Sequence, residues 1–129
     1  MSQYLLDTHT FLWWVDDSLK LSSAARSAIS SLENTCYLSM ASVWEMAIKL
    51  SLGKLKLVPP LKRFIPEQIS ANDFKILAIN FSHISKLEHL PFHHRDPFDR
   101  LLVTQAMTEK MAIISADSAL ACYEVEKIW

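Results

Sequence analysis

The acidic residues best placed for chemistry stand where predicted strands end or predicted helices begin. They are Asp7, Glu45, Asp99 and Asp117. In a parallel α/β domain, strand C-termini and helix N-termini share one edge of the sheet, and ligands bind there. Carboxylates that converge at such an edge repel one another unless a hard cation lies between them. The pattern therefore predicts a divalent-metal site.

Short apolar strands alternate with helices along the chain, which indicates an α/β fold. The predicted strands are 3–6, 36–39, 75–79, 111–115 and 124–129. The predicted helices include 41–52, 61–71 and 97–110, with a short helix around 82–89. The strands lack clean alternation of apolar and polar residues, as expected for a largely parallel sheet covered on both faces. This pattern does not determine the order of the strands.

The chain has 129 residues and no repeat or long linker, so we expect one domain spanning 1–129. Its 13 basic and 14 acidic residues nearly cancel, and net charge neither favours nor excludes a nucleic-acid partner. No basic segment precedes an apolar signal core, and no apolar run approaches membrane-spanning length. These features predict a cytoplasmic protein with no membrane partner.

Two residues mark helix ends or interruptions. Gly53, the only glycine, is predicted to end the helix 41–52 with positive φ. Pro66 is predicted to kink or break the helix 61–71. Trp13, Trp14 and Trp44 lie within apolar helical segments, which favours packing in the core over stacking on bases.

Three of the four acids also have a purely structural interpretation as helix caps. Asp7 directly follows a strand and could cap the next helix. Ser42 and Glu45 have the spacing of a capping box, in which the Glu side chain turns back to a backbone N–H. Asp117 could cap the last short helix. Caps alone, however, do not explain why all the acids share one predicted edge.

Asp96 and Asp99 divide these roles between them. Asp96 precedes Pro97 and is the natural N-cap, because proline is favoured at the first helical position. Asp99 caps nothing so obvious, so we predict that Asp99 is the ligand and that Asp96 supports it.

A set of four carboxylates suits Mg²⁺ or Mn²⁺. Such a cation can activate a water, orient a phosphate and stabilise the leaving oxygen of an in-line displacement. A single glycine cannot build a glycine-rich phosphate loop.

Basic residues cluster in two places that could track a phosphate backbone or simply be solvated surface. The first cluster comprises Lys49, Lys54, Lys56, Lys62 and Arg63, and the second comprises His93, His94, Arg95 and Arg100. From these we predict substrate-binding roles for Lys49, His94, Arg95 and Arg100.

The chain resembles the PIN-domain ribonucleases, specifically toxins of the VapC type, over nearly its whole length. The resemblance rests on four stretches in order: Leu5-Leu6-Asp7-Thr8-His9, then Ser42 to Lys49, then His94 to Leu102, then Ser115-Ala116-Asp117. It places the family's acidic quartet on Asp7, Glu45, Asp99 and Asp117. It also matches Ser115 to a hydroxyl residue that orients the site.

The resemblance implies a three-layer α/β/α fold and Mg²⁺- or Mn²⁺-dependent endonucleolytic cleavage of RNA. It further implies a homodimer and a small antitoxin that is encoded separately and inserts into the acidic cleft. Neither the RNA that is cut nor the number of metal ions follows from the residues. Metal-dependent hydrolysis does not need the 2′-OH, so the choice of RNA over DNA rests on the resemblance.

Two other functional classes compete with this interpretation. One is a non-catalytic PIN-like module that binds RNA or protein, which retention of all four acids disfavours. The other is an aspartyl-phosphate phosphatase, since a strand followed by Asp7-Thr8 is similar to the haloacid dehalogenase signature. That signature needs a second acid two residues after the nucleophile, and His9 occupies the position.

Overall fold

Five strands form one parallel sheet in the computed structural model, which describes residues 2–129. The strands are β1 (Gln3–Leu6), β2 (Thr35–Ser39), β3 (Lys75–Leu77), β4 (Ala112–Ile114) and β5 (Lys127–Ile128). Their order is β3-β2-β1-β4-β5, and every neighbouring pair is parallel. The predicted parallel sheet is confirmed, although β3, β4 and β5 are shorter than the ranges predicted for them.

Six α-helices connect these strands. They are α1 (Thr8–Val15), α2 (Ser23–Ser30), α3 (Met40–Ser51), α4 (Leu61–Asn72), α5 (Phe81–Ser85) and α6 (Pro97–Glu109). Two 3₁₀ helices, Lys86–His89 and Ser118–Cys122, complete the regular structure. The single helix predicted over 82–89 is therefore divided into α5 and a 3₁₀ turn.

Side chains of β1 and β4 alternate between two separate halves of the core. Leu6 pairs with Ile114 in the sheet, and both pack into the half that contains Phe11. Leu5 pairs with Ile113, and both pack into the half that contains Leu102. Since successive residues of a strand face opposite sides, helices cover the sheet on both faces. The three-layer α/β/α fold is confirmed.

Gly53 follows α3 with φ of +70°, so the predicted left-handed helix end is confirmed. The predicted break at Pro66 is wrong, because α4 continues through it from Leu61 to Asn72. Phe64 and Ile65, immediately before the proline, are buried in the core and hold this turn in place. Tertiary packing thus outweighs the loss of one backbone N–H.

The predicted burial of the tryptophans holds for two of the three. Trp13 and Trp14 pack against the core. Trp44 is 57% exposed, so its predicted burial is wrong. Trp44 lies on the side of α3 that faces solvent, whereas the neighbouring Val43 and Met46 lie on the side that faces the core. Within residues 2–129, the structure has no helix long and apolar enough to cross a membrane.

Candidate metal centre

The sheet topology places two of the predicted acids at one crevice. The central strand β1 lies between β2 and β4, so the chain leaves β1 towards one side and reaches β4 on the other. Loops that diverge in this way open a crevice at the carboxyl edge of the strands. Asp7 follows β1, Asp117 lies just beyond β4, and the Asp7 N–H donates to the Ile114 carbonyl at 3.2 Å.

Asp7 and Asp117 both cap helices, as the structural interpretation predicted. Asp7 Oδ1 accepts from the Thr10 N–H at 2.8 Å, and Asp117 Oδ1 accepts from the Ala119 N–H at 2.9 Å. Each cap uses one carboxylate oxygen, and Asp117 turns its other oxygen towards His94. A carboxylate has two oxygens, so capping a helix and binding a ligand are compatible.

Glu45 lies in the second turn of α3 and forms no capping box. The N-cap is Ser39, whose hydroxyl accepts from the Ala41 N–H at 3.0 Å, so the capping box predicted at Ser42 is wrong. Glu45 is only 5% exposed. Its Oε1 accepts from the Thr8 hydroxyl at 2.7 Å. Its Oε2 lies 2.8 Å from Lys49 Nζ.

Asp96 has the capping role that the sequence predicted for it, and Asp99 does not share that role. Asp96 Oδ1 accepts from the N–H groups of Phe98, at 2.8 Å, and Asp99, at 3.2 Å, so Asp96 is the N-cap of α6. The Asp99 carboxyl makes no capping hydrogen bond within residues 2–129. Its side chain is 22% exposed and points to a neighbourhood rich in carboxylates.

The environment of Asp99 disfavours its ionised form. Burial raises the pKa of Asp99 to about 7, and the carboxylates of Asp96, Asp7 and Glu45 act in the same direction, whereas His94 opposes them. Such strongly perturbed carboxyls concentrate at functional sites. For Asp117, burial alone would raise the pKa, but hydrogen bonds from the Ala119 N–H and His94 lower it.

His94 joins Asp99 and Asp117 into the tightest group of the site. Its Nε2 lies 2.6 Å from Asp117 Oδ2 and 3.3 Å from Asp99 Oδ2, and potential ligand atoms of all three residues lie within 4.8 Å of one another. Its Nδ1 accepts from the Asp96 N–H at 3.0 Å, so the proton is on Nε2. Asp7 and Glu45 lie outside this group and act on Asp99 through their charge.

Ser115 holds the loop that carries Asp117. It is fully buried, and its hydroxyl accepts from the Asp117 N–H at 3.0 Å. Its carbonyl accepts from Lys127 Nζ at 2.9 Å, which fixes the loop to the strand β5. These contacts fix the position of the Asp117 backbone.

The basic residues predicted to bind substrate lie in three different environments. Lys49 is 36% exposed and pairs with Glu45. Arg95 is exposed beside the acids. Arg100 is buried and donates to the carbonyls of Pro91 and Leu90 at 2.8 and 3.2 Å, so it braces the loop before α6. This structural role removes Arg100 from the set that could meet a phosphate.

Sequence reasoning missed Thr8 as the residue that positions Glu45. The Thr8 hydroxyl contacts both Glu45 and Ser42, at 2.7 and 3.0 Å, and joins the start of α1 to α3. A hydroxyl directly after a strand-ending Asp was a signal for a second polar group at the edge. Its partner, 37 residues away, could not be read from the sequence.

The residues present suit a hard divalent cation. Oxygen donors from Asp7, Asp99 and Asp117 match the ligand preference of Mg²⁺ and Mn²⁺. Burial, followed by the charges of neighbouring carboxylates, raises the pKa of Asp99, and a bound cation would favour its ionised form. His94, with its proton on Nε2, serves as a hydrogen-bond donor to Asp117.

A family model described as the PIN domain matches residues 4–125. No curated protein matches the sequence. Among solved structures, a chain of VapBC2 from Rickettsia felis, crystallised with a promoter DNA fragment, aligns with a TM-score of 0.71 and 14% identity, covering 98% of this chain and 99% of that one.

Two further solved structures align over similar lengths. A chain of FitAcB from Neisseria gonorrhoeae has a TM-score of 0.67 and 17% identity, covering 96% of this chain and 95% of that one. A chain of VapBC-5 from Mycobacterium tuberculosis has a TM-score of 0.62 and 14% identity, covering 98% of both. At these identities the structural likeness establishes the fold alone, while the family model covers nearly the whole chain. The chain belongs to the PIN domain family.

Proposed function

We propose that this protein is a divalent-metal-dependent endoribonuclease of the VapC type, the toxin of a toxin–antitoxin pair. The observation that supports the proposal is the closeness of Asp99 and Asp117, which form a group with His94 whose potential ligand atoms lie within 4.8 Å of one another. Burial and the charges of Asp96, Asp7 and Glu45 raise the pKa of Asp99 to about 7. Membership of the PIN domain family supports it, because PIN domains of VapC toxins are generally nucleases that use divalent metals.

In this proposal, Asp7, Asp99 and Asp117 hold one or two Mg²⁺ or Mn²⁺ ions. A bound ion of this kind supplies a Lewis acid for water activation and phosphate polarisation. Glu45, fixed by Thr8 and Lys49, orients the attacking water and accepts its proton. Ser115 keeps Asp117 in place.

The basic side chains complete the substrate site. Arg95 is exposed next to Asp96, and Lys54 is exposed beyond the end of α3. Both can meet phosphates of a bound strand. Lys49 balances the charge of Glu45 and remains partly open to solvent.

We propose two protein partners as well, a small antitoxin encoded separately and a second copy of this chain. Support for the antitoxin comes from the structural neighbours, since VapBC-5 is described as a member of the VapBC family of toxin–antitoxin systems. Analytical ultracentrifugation of the purified chain tests the homodimer, and co-purification with a separately encoded small protein tests the antitoxin.

The decisive experiment is cleavage of end-labelled structured RNAs in Mn²⁺, run beside single-stranded DNA of the same sequences. We expect metal-dependent cuts in RNA from the wild type and none from Asp99→Asn. Glu33→Gln is the matched control, because it removes one exposed acid from the loop before β2, at the opposite edge of the sheet. A folded wild type that binds Mn²⁺ and RNA without cutting would instead identify a non-catalytic binding module.

A further inference from the structure

An apolar groove lies between α3 and the start of α6, beside the acidic site. Its volume is about 190 Å³, and its apolar lining comes from Ile48, Leu52 and Phe98. Glu45 and Asp96 also line it. Because the charge of Glu45 acts on Asp99, the groove opens directly beside the proposed reaction centre. None of its apolar residues has a part in binding the cation.

Trp44 extends this groove as an exposed aromatic surface. Its ring packs edge-on against Phe98, with centroids 4.9 Å apart and planes at 83°. Trp44 is 57% exposed, and Leu52, the C-cap of α3, is 61% exposed. Together with Ile48 and Phe98 they form a contiguous apolar patch, and such patches mark binding surfaces. The position of Trp44 directly before Glu45 ties that surface to the site.

The charges around the groove identify the occupant. Two lysines, Lys49 and Lys54, and two acids, Glu45 and Asp96, line it together with the apolar side chains. Lys49 is paired with Glu45, so Lys54 is the cation left for an anionic ligand. Lys54 is exposed and has no acidic partner among residues 2–129. An apolar, aromatic surface with cations at its margin is what single-stranded nucleic acids require, because bases stack while phosphates meet lysines.

We propose that this groove, together with Trp44 and Phe98, is a nucleobase subsite for single-stranded RNA, next to the phosphate that is cut. The proposal rests on the nuclease function proposed above. A base stacks on Trp44 and enters the groove against Phe98, and Lys54 binds the adjoining phosphate. The subsite selects substrates whose strand is unpaired at that nucleotide.

The test measures binding of a fluorescein-labelled eight-nucleotide RNA by anisotropy, in an Asp99→Asn background that prevents turnover. We expect Trp44→Ala to weaken binding about 10-fold, since stacking is worth roughly 5- to 150-fold per base, and Trp44→Phe to retain most of the affinity. Leu32→Ala is the matched control, because Leu32 is fully exposed in the loop before β2, at the opposite edge. Phe98→Leu, expected to act like Trp44→Ala, provides a second variant if Trp44→Ala misfolds.

A set of RNAs with one abasic nucleotide at each position locates the base. We expect the abasic nucleotide at one position to weaken RNA binding by the Asp99→Asn protein about 10-fold. The same abasic RNA should lose no further affinity when Trp44→Ala is also present. If every abasic RNA lost the same affinity for the proteins with and without Trp44→Ala, the subsite would be overturned. A Trp44→Ala protein that loses self-association but not RNA affinity would also overturn it and identify a protein interface instead.

The two proposals fail in different ways. Mn²⁺-dependent cleavage of RNA by the wild type, with an unchanged rate and affinity in Trp44→Ala, overturns the subsite alone. Absence of both cleavage and RNA binding in the wild type overturns the nuclease and the subsite together.

Discussion

His94 Nε2 lies 2.6 Å from Asp117 Oδ2 and connects the loop before α6 to the loop after β4. The same ring accepts from the Asp96 N–H through Nδ1. One side chain therefore holds the backbone at the start of α6 and donates to a carboxylate on the other side of the crevice. Asp99 Oδ2 lies 3.3 Å from the same nitrogen.

His94→Ala should destabilise the metal-free protein by ~1–3 kcal/mol, because Asp117 loses a hydrogen-bond donor and the Asp96 N–H loses its acceptor. Saturating Mn²⁺ should reduce this deficit, since a cation replaces His94 as the partner of the acids. Thermal unfolding in EDTA and in MnCl₂ measures both values. His89→Ala, at an 85% exposed side chain, is the control and should change neither. An identical His94→Ala deficit in both buffers would show that the ring is only a structural tie.

Asp99 should make the metal-free protein less stable as pH rises. Its folded pKa, raised to about 7, exceeds the ordinary value of 3.8, so the folded state binds the proton more tightly. The stability that this proton gives is complete below pH 3.8 and is lost as pH rises through about 7. In EDTA, the Tm of Asp99→Asn should therefore rise relative to the Tm of the wild type between pH 5 and 8.5. The difference should reach a few degrees. Mn²⁺ should reverse this order by stabilising the wild type alone. Parallel pH profiles for the two proteins would contradict the prediction.

Thr8→Val should lower activity more than it lowers stability. The substitution removes the 2.7 Å hydrogen bond to Glu45 but keeps the shape of the side chain. We expect a loss of ~1 kcal/mol in unfolding free energy and a kcat about 10-fold lower, with Mn²⁺ affinity nearly unchanged. Thr8→Ser should restore most of the rate, because it restores the hydroxyl. Equal rates for the Val and Ser variants would exclude Thr8 as a positioning residue.

The sequence could place most elements because their signals are local. Asp96-Pro97 begins α6 and Gly53 ends α3 in the structure as predicted, since caps and positive φ depend on a few adjacent residues. The predicted shared edge of Asp7 and Asp117 also follows from any parallel sheet.

The sequence could not show which side of each helix faces the core, or which distant side chains contact one another. Trp44 lies in an apolar helix yet faces solvent, because the rotation of α3 about its axis is set by packing against α1 and α6. The partner of Thr8 and the burial of Arg100 likewise depend on which helices meet. The order of the strands could not be predicted either. The sequence pattern of a strand is the same whether the chain crosses to one side of β1 or to the other.

Arg100 and Arg95, both predicted from the sequence to bind substrate, should now separate by experiment. Arg100 donates to two backbone carbonyls and lies 3.9 Å from the ring centroid of Phe92, so Arg100→Ala should cost ~2–4 kcal/mol in urea unfolding. Arg95 is exposed, so Arg95→Ala should change stability by less than ~0.5 kcal/mol. The same variant should weaken binding of a short labelled RNA several-fold and reduce its salt dependence by about one phosphate contact. If Arg100→Ala instead left stability intact and weakened RNA binding, its guanidinium would have to leave the loop carbonyls in solution and meet the substrate.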